Sequence, residues 1–149
     1  MVKFEGKWKY QSYRPNPGSV AADPKPATNE YPNPPNFIPW SPPGVVTVGE
    51  CGTTGTLEFT GIPNKLDLKI QVTEGSLGGL SISAVMNLPG GRQFTNELQG
   101  WFVPAQLGQE VGKENPLVVR GSIVQTSADI APKPQPIFTT GFFVLEPIQ

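Results

Sequence analysis

The side chains of this chain that are suited to chemistry are a few polar groups placed among aromatic ones at two-residue spacing. Tyr10 and Ser12 share a parity with Trp8, and Asn96 shares a parity with Phe94. Alternate side chains of a strand point to the same face, so each of these polar groups is predicted to lie on an apolar wall. A phenol, a hydroxyl or an amide in such a wall can orient the polar part of a small ligand.

Each of these groups also has a purely structural interpretation. The Asn96 amide can be satisfied by a neighbouring backbone group or by water, because buried polar groups usually find such partners. Tyr10 can be a core tyrosine whose hydroxyl reaches the rim of the fold. The strand around Asn96 can also lie the other way, with Glu97, Gln99 and Trp101 inside, because both of its faces carry an aromatic residue. The sequence leaves the orientation of this strand open.

Arg120 is a charged residue directly after the apolar run Leu117–Val119. Inside a barrel, its guanidinium would bind a carboxylate or another anion. Elsewhere it would cover the ring of Trp8 at the end of the barrel or face solvent. We retain Arg120 as a candidate ligand-binding residue with these alternatives open.

The composition excludes several classes of function. With no histidine and a single cysteine, the chain has no Ser-His-Asp or Cys-His arrangement, and neither a metal site nor a cofactor is expected. The net charge of −1 shows no basic excess, so no nucleic-acid partner is expected. No apolar run approaches the roughly 20 residues of a membrane span, and the start of the chain is too polar for a secretory signal. We therefore expect a cytoplasmic protein with no membrane span.

Period-two patterns predict the elements that position these groups. Eight strand-like segments follow one another, and several of their links are short and carry Gly, Pro or Asn, as hairpin turns require. Short links imply antiparallel neighbours, and closing eight strands on themselves removes two exposed edges. The predicted fold class is all-β: an antiparallel, eight-stranded, up-and-down barrel. The predicted strands are residues 5–13, Val45–Gly49, Thr54–Thr60, Lys65–Thr73, Leu80–Asn87, Gln93–Val103, Leu117–Gln125 and Ile137–Leu145.

One proline-rich segment, residues 15–44, interrupts the series within a predicted single domain of residues 1–149. It holds ten of the 18 prolines, and proline removes a ladder donor, so neither a helix nor a central strand is expected there. Two interpretations stay open. The segment can be an extended surface loop or linker, or it can be a lid, since its second half carries Tyr31, Phe37, Ile38 and Trp40.

Gly6-Lys7-Trp8, in the first predicted strand, resembles the Gly-x-Trp signature of the lipocalins and the wider calycin superfamily. The resemblance implies a barrel in which the glycine lets the chain bend at the closed end and the tryptophan plugs the base. It also implies a long, lid-like first loop, which residues 15–44 match in style. The chain departs from the family pattern in its last predicted strand, which carries no basic residue to pair with the tryptophan.

The last two predicted strands are apolar on both faces. Alternation forbids Phe142 and Phe143 from sharing one interior, so one of them must lie outside. We expect the outward row to be Ile137, Phe143 and Leu145, an apolar patch of the kind that monomers avoid. A homo-oligomer joined through these two strands would bury it, and coverage by the proline-rich segment is the alternative.

A barrel of eight strands is just wide enough to be filled by side chains or to hold one small ligand. We expect a small-molecule binding protein that holds a largely apolar ligand in the barrel mouth. One alternative is an isomerase or cyclase on the same barrel, with Glu97 or a tyrosine as its acid or base. Another is a structural or assembly protein whose barrel is filled. The candidate ligand-binding residues are Tyr10, Ser12, Trp40, Phe59, Asn96 and Arg120.

Overall fold

The computed structural model describes residues 3–15, 37–72, 78–106, 108–128 and 139–148. Within these residues the protein is almost entirely β-sheet, and its one helical element is a 3-10 turn at Pro89–Gly91. No helix in the described part of the chain is long and apolar enough to cross a membrane. The strands are β1 Gly6–Pro15, β2 Phe37–Pro39, β3 Gly44–Val48, β4 Thr54–Phe59, β5 Leu66–Val72, β6 Gly79–Asn87, β7 Gln93–Pro104, β8 Leu117–Ala128 and β9 Thr139–Pro147.

Eight of these strands close into an antiparallel barrel, which confirms the predicted fold class. The order runs from β1 through β3 to β9 in sequence, and β9 returns to pair with β1. Trp8 shows the closure directly, because it lies opposite Val46 of β3 on one side and Pro147 of β9 on the other. Every long strand therefore has a neighbour on both sides, and the barrel has no long unpaired edge.

The short strand β2 lies within the proline-rich segment, where neither a helix nor a central strand was expected. It pairs antiparallel with the end of β1, with Tyr13 opposite Pro39 and Arg14 opposite Ile38. Three residues at a sheet margin tolerate proline, because an edge position does not need every ladder donor. The short strand at 37–39 lies at the margin and is not a central strand, while residues 16–36 lie outside the described part of the chain.

The inner face of the barrel follows the predicted parity on β1, β4, β5 and β6. Lys7 and Lys9 of β1 are exposed. Trp8, Tyr10 and Ser12, which alternate with them, are buried. The same alternation places Asp67 and Lys69 outside on β5. The core formed by the inner side chains includes Trp8, Tyr10, Val46, Leu57, Leu66, Leu68, Ile70, Leu80, Ile82, Leu98, Val119 and Phe143.

Aromatic rings fill the closed end of the barrel. The ring centroid of Trp8 lies 5.1 Å from that of Phe4 and 6.3 Å from that of Phe102. The Trp8 indole N–H donates to the Glu5 carbonyl oxygen at 3.0 Å. Trp8 is therefore buried at the base, as predicted, but phenylalanine rings rather than an arginine pack against it. Arg120 lies on the opposite parity of β8 from the inward-facing Val119.

The outward row expected on β9 is wrong. Phe143 and Leu145 are fully buried in the barrel core, and Ile137 lies outside the described residues. Phe143 faces Gly121 across the β8–β9 pair, and its ring lies 3.0 Å from the position that a Cβ on Gly100 would take. Gly100 leaves space that the ring fills, which helps to explain why Phe143 rather than Phe142 is the inner residue. Phe142 instead stacks on Tyr13 outside the barrel, with ring centroids 4.9 Å apart.

Candidate functional site

The end of the barrel opposite Trp8 contains a cavity of about 380 Å³. Inner residues of β1, β4, β6, β7 and β8 form its wall, and Trp40, Ser41 and Pro42, which follow β2, form one side of its rim. Its volume lies in the range typical of small-molecule pockets, which are mostly apolar with a few convergent polar groups. The apolar part of the wall consists of Trp40, Phe59, Ile62, Met86, Leu88, Phe94 and Ile123.

Five of the six residues predicted to bind a ligand line this one cavity. They come from four separate parts of the chain, namely Tyr10 and Ser12 on β1, Trp40 after β2, Phe59 on β4 and Asn96 on β7. The barrel closure brings them together, because it places β1 and β7 on the same inner surface.

Arg120 is the predicted residue that the structure does not bring to the cavity. It is paired in register with Trp101 on β7 and Val144 on β9, on the outer face of the sheet. Its guanidinium donates from Nη2 to the Ala105 carbonyl oxygen at 3.0 Å, which holds the link between β7 and β8. Strand parity is the physical reason, since Val119 occupies the inner position next to it.

Trp40 is held at the mouth by backbone and side-chain hydrogen bonds. Its N–H donates to the Ser12 carbonyl oxygen at 2.9 Å, and Gln11 Nε2 donates to the Ser41 carbonyl oxygen at 2.8 Å. Its indole packs on Gly141, where a Cβ would come within 3.0 Å of the ring. The described end of the proline-rich segment is thus fixed against β1 and β9, with its aromatic residue at the cavity.

Tyr10 lies at the floor of the cavity between two other rings. It stacks on Phe143 with centroids 6.4 Å apart and meets Phe59 edge-on at 5.9 Å. Burial raises the pKa of the Tyr10 phenol to about 12, and the adjacent Ser12 hydroxyl partly offsets this effect. The phenol is therefore neutral at physiological pH and acts as a hydrogen-bond donor or acceptor rather than as an anion.

Two further polar side chains lie on the inner faces of β7 and β8. Asn96 and Gln125 are directly opposite each other in register, so they share the inner face. Asn96 is 6% exposed and Gln125 is 2% exposed. Among the described residues, Gln125 Nε2 is a buried donor with no hydrogen-bond partner. Of the two amides, Asn96 lines the cavity, and Gln125 lies next to it on the inner face of β8.

The residues that were not predicted from the sequence include Gln125 on the inner face and Ser41 and Phe94 in the cavity wall. Gln125 could have been found by its parity with Val119 and Ile123, which predicts the same face for all three. Ser41 had no comparable signal, because it follows the proline-rich segment, where no regular period exists. Its hydroxyl lies 2.9 Å from that of Ser12, which links the rim to β1.

The titratable chemistry of the described cavity wall is limited to Tyr10. Glu97 lies outside on β7, where it is exposed and accepts a hydrogen bond from the Ser83 hydroxyl at 2.8 Å. In the described part of the chain, no three Asp, Glu, Cys or His side chains are grouped as metal ligands. The wall is therefore equipped to bind by shape and by neutral hydrogen bonds.

A larger and shallower groove of about 630 Å³ lies at the other end of the barrel. Its wall includes side chains of both charges, namely Lys3, Glu5 and Glu50, together with the exposed Cys51. Charged groups exposed to water in this way are well solvated and do not converge on an apolar interior. We therefore place the candidate site at the mouth of the barrel.

Comparison of the chain with models of protein families, with curated protein sequences and with solved structures finds no match. The closed eight-stranded antiparallel barrel is compatible with a calycin-like fold.

Proposed function

We propose that this protein binds a small, largely apolar molecule in the cavity at the barrel mouth, as a member of the calycin superfamily or as an independent barrel of the same shape. The observation that carries the proposal is a cavity with aromatic walls whose lining includes the buried polar side chains of Ser12 and Asn96. Apolar side chains supply the affinity by removing the ligand surface from water, and the polar side chains select its orientation.

The distribution of packing along the barrel supports ligand binding over a filled structural barrel. Below the level of Tyr10 the interior is occupied by core side chains down to the Phe4, Trp8 and Phe102 rings. Above that level the cavity remains, although Phe94 and Met86 there are large enough to pack a core. A barrel whose work is done only by its exterior has no need of such a space.

Of the acids or bases named for the enzyme alternative, Tyr10 lines the cavity and Glu97 does not. Glu97 is directed away from the cavity, so it is not the acid or base of an isomerase or cyclase at this site. Tyr10 remains as a neutral phenol that can donate a hydrogen bond, since burial raises its pKa to about 12. These properties favour holding a ligand over moving its protons.

Titration with the apolar fluorescent probe N-phenylnaphthylamine tests the proposal. We expect saturable binding with an increase in probe fluorescence. We expect Met86→Trp, which enlarges a side chain in the cavity wall, to weaken this binding at least tenfold because the added ring occupies the ligand volume.

Val85→Trp is the matched control, because it makes a similar enlargement on the same strand but on the opposite face. It should bind the probe like the unmodified protein, with both variants retaining a β-sheet circular dichroism spectrum. Absence of saturable binding to the unmodified protein, or equal binding by both variants, would contradict the proposal.

Association of copies through β8 and β9 stays a prediction, and the structure changes the side chains on which it depends. The outward residues are Phe142 and Val144 on β9 and Val124 on β8, and Val144 is already buried within one chain. We expect light scattering at micromolar concentration to give a dimer that Phe142→Glu dissociates without loss of the β-sheet spectrum. A monomeric mass for the unmodified protein would rule this association out.

A cytoplasmic location likewise stays a prediction.

A further inference from the structure

We infer that the ligand of the mouth cavity is a compact apolar molecule rather than a long-chain lipid, and that Trp40 is the residue that sets this limit. This inference rests on the proposed binding function and specifies the class of ligand that the cavity takes. It follows from the depth of the cavity, the fixed position of Trp40 and the lack of a side chain at Gly141.

The cavity is shallow along the length of its strands. Tyr10 and Ser12 line it on β1, and Phe94 and Asn96 line it on β7, so it spans two inward-facing levels of each strand. Two such levels are separated by two residues, or about 7 Å along a strand. Below Tyr10 the interior is filled by the core, which includes the Phe143 ring stacked on the phenol. A long chain therefore has no room to extend deeper into the described barrel.

Trp40 closes the cavity on the side of β1 and β9 and is held there by its own segment of the chain. Its backbone N–H donates to the Ser12 carbonyl oxygen at 2.9 Å, and the Ser41 hydroxyl lies 2.9 Å from that of Ser12. Further along, the Pro43 carbonyl oxygen accepts a hydrogen bond from the N–H of Thr60, which follows β4, at 2.9 Å. Residues 40–43 are thus anchored at both ends, so the indole is a fixed part of the cavity wall.

Gly141 on β9 makes the volume at this side of the cavity depend on the indole. A Cβ at this position would lie 3.0 Å from the Trp40 ring and would clash with the Tyr13 carbonyl oxygen, so the backbone leaves no room for a side chain. The indole of Trp40 therefore fills space that β9 itself cannot fill.

Removal of the indole is expected to lengthen the cavity rather than to collapse it. The space that the ring occupies adjoins the cavity that the ring lines, and the neighbouring strands are paired on both sides in the closed barrel. Close-packed surroundings of this kind relax only partially when a side chain is truncated. Apolar spaces left in this way bind apolar molecules. Trp40 is thus the side chain whose size decides how long a ligand can be.

Two straight-chain alcohols test the inference by displacement of N-phenylnaphthylamine. The measured quantity is the affinity of 1-dodecanol relative to that of 1-octanol. Each buried CH₂ raises affinity about fourfold, so this ratio would be roughly two hundredfold if all four added groups were buried. We expect a ratio below about tenfold in the unmodified protein, because the cavity takes only part of the longer chain. We expect Trp40→Ala to raise the ratio roughly tenfold, because the added CH₂ groups enter the space that the indole leaves.

Trp101→Ala is the matched control, because Trp101 is 46% exposed on the outer face of β7 and undergoes the same chemical change. It should leave the ratio unchanged. Trp40→Phe keeps a smaller ring at the mouth, so it should fold and should raise the ratio by less than Trp40→Ala does. A ratio near two hundredfold in the unmodified protein, or an unchanged ratio in the folded Trp40 variants, would overturn the inference while leaving the binding function intact. Failure of N-phenylnaphthylamine itself to bind would instead reject the binding function.

Discussion

Replacing Trp8 with alanine is expected to lower the free energy of unfolding by about 3–5 kcal/mol. Trp8 is 6% exposed, and its ring packs against Phe4 and Phe102 at the closed end of the barrel. Alanine would leave a cavity that the two remaining rings cannot fill, because Phe4 precedes β1 and Phe102 is held on β7. The loss of the hydrogen bond from the indole to the Glu5 carbonyl adds to the effect. Urea unfolding followed by circular dichroism measures the change.

Trp101→Ala is the matched control for this prediction. Trp101 is 46% exposed on the outer face of β7, so the same substitution removes far less buried surface there. We expect a loss of about 1 kcal/mol or less in that variant, because substitutions at exposed positions have small effects. A loss below about 1 kcal/mol in Trp8→Ala itself would show that Trp8 does not plug the barrel.

Replacing Phe143 with glutamate is expected to abolish the folded barrel at neutral pH. Phe143 is 0% exposed and lies between Tyr10 and the Gly100–Gly121 pair. The substitution removes a ring whose loss alone costs about 3–5 kcal/mol, and it adds a carboxylate with no cation near it in the described core. Domains of this size are stable by about 5–15 kcal/mol, so the combined loss removes most or all of the margin. Circular dichroism and one-dimensional NMR of the purified variant measure the outcome.

Phe142→Glu is the adjacent comparison, since it places the same charge one residue earlier and on the opposite face of β9. Phe142 is half-buried and stacks on Tyr13 outside the barrel, so the new carboxylate can reach water. This variant should keep the β-sheet spectrum with a smaller loss of stability. If instead Phe143→Glu folds and Phe142→Glu does not, the register of β9 in the barrel is reversed from that described.

The sequence by itself determined the positions of the eight barrel strands to within about three residues. It also determined the inner face of β1 and β5, where charged side chains alternate with apolar ones. Lys7 and Lys9 on β1 and Asp67 and Lys69 on β5 mark the outer face, because an unpaired charge is costly to bury. From those strands the inward direction of Tyr10 followed directly.

Only the tertiary structure decided the faces of β7 and β9, which carry aromatic residues on both sides. Local alternation is equally satisfied by either orientation, so the choice depends on the volume offered by the neighbouring strands. Gly100 provides that volume at one level of the barrel, and Phe143 fills it. The same closure turns Arg120 outward.

The cavity was likewise decided by tertiary structure, because its wall joins strands that are far apart in the chain. Ser12 on β1 and Asn96 on β7 meet at one mouth only after β9 has paired with β1. The partnership of Asn96 with Gln125 depends on the register of β7 against β8, including its irregularity next to Asn96. Alternation along a strand gives the face of a residue, but a register shift of two residues keeps every side chain on its face, so alternation does not specify the neighbour across the sheet.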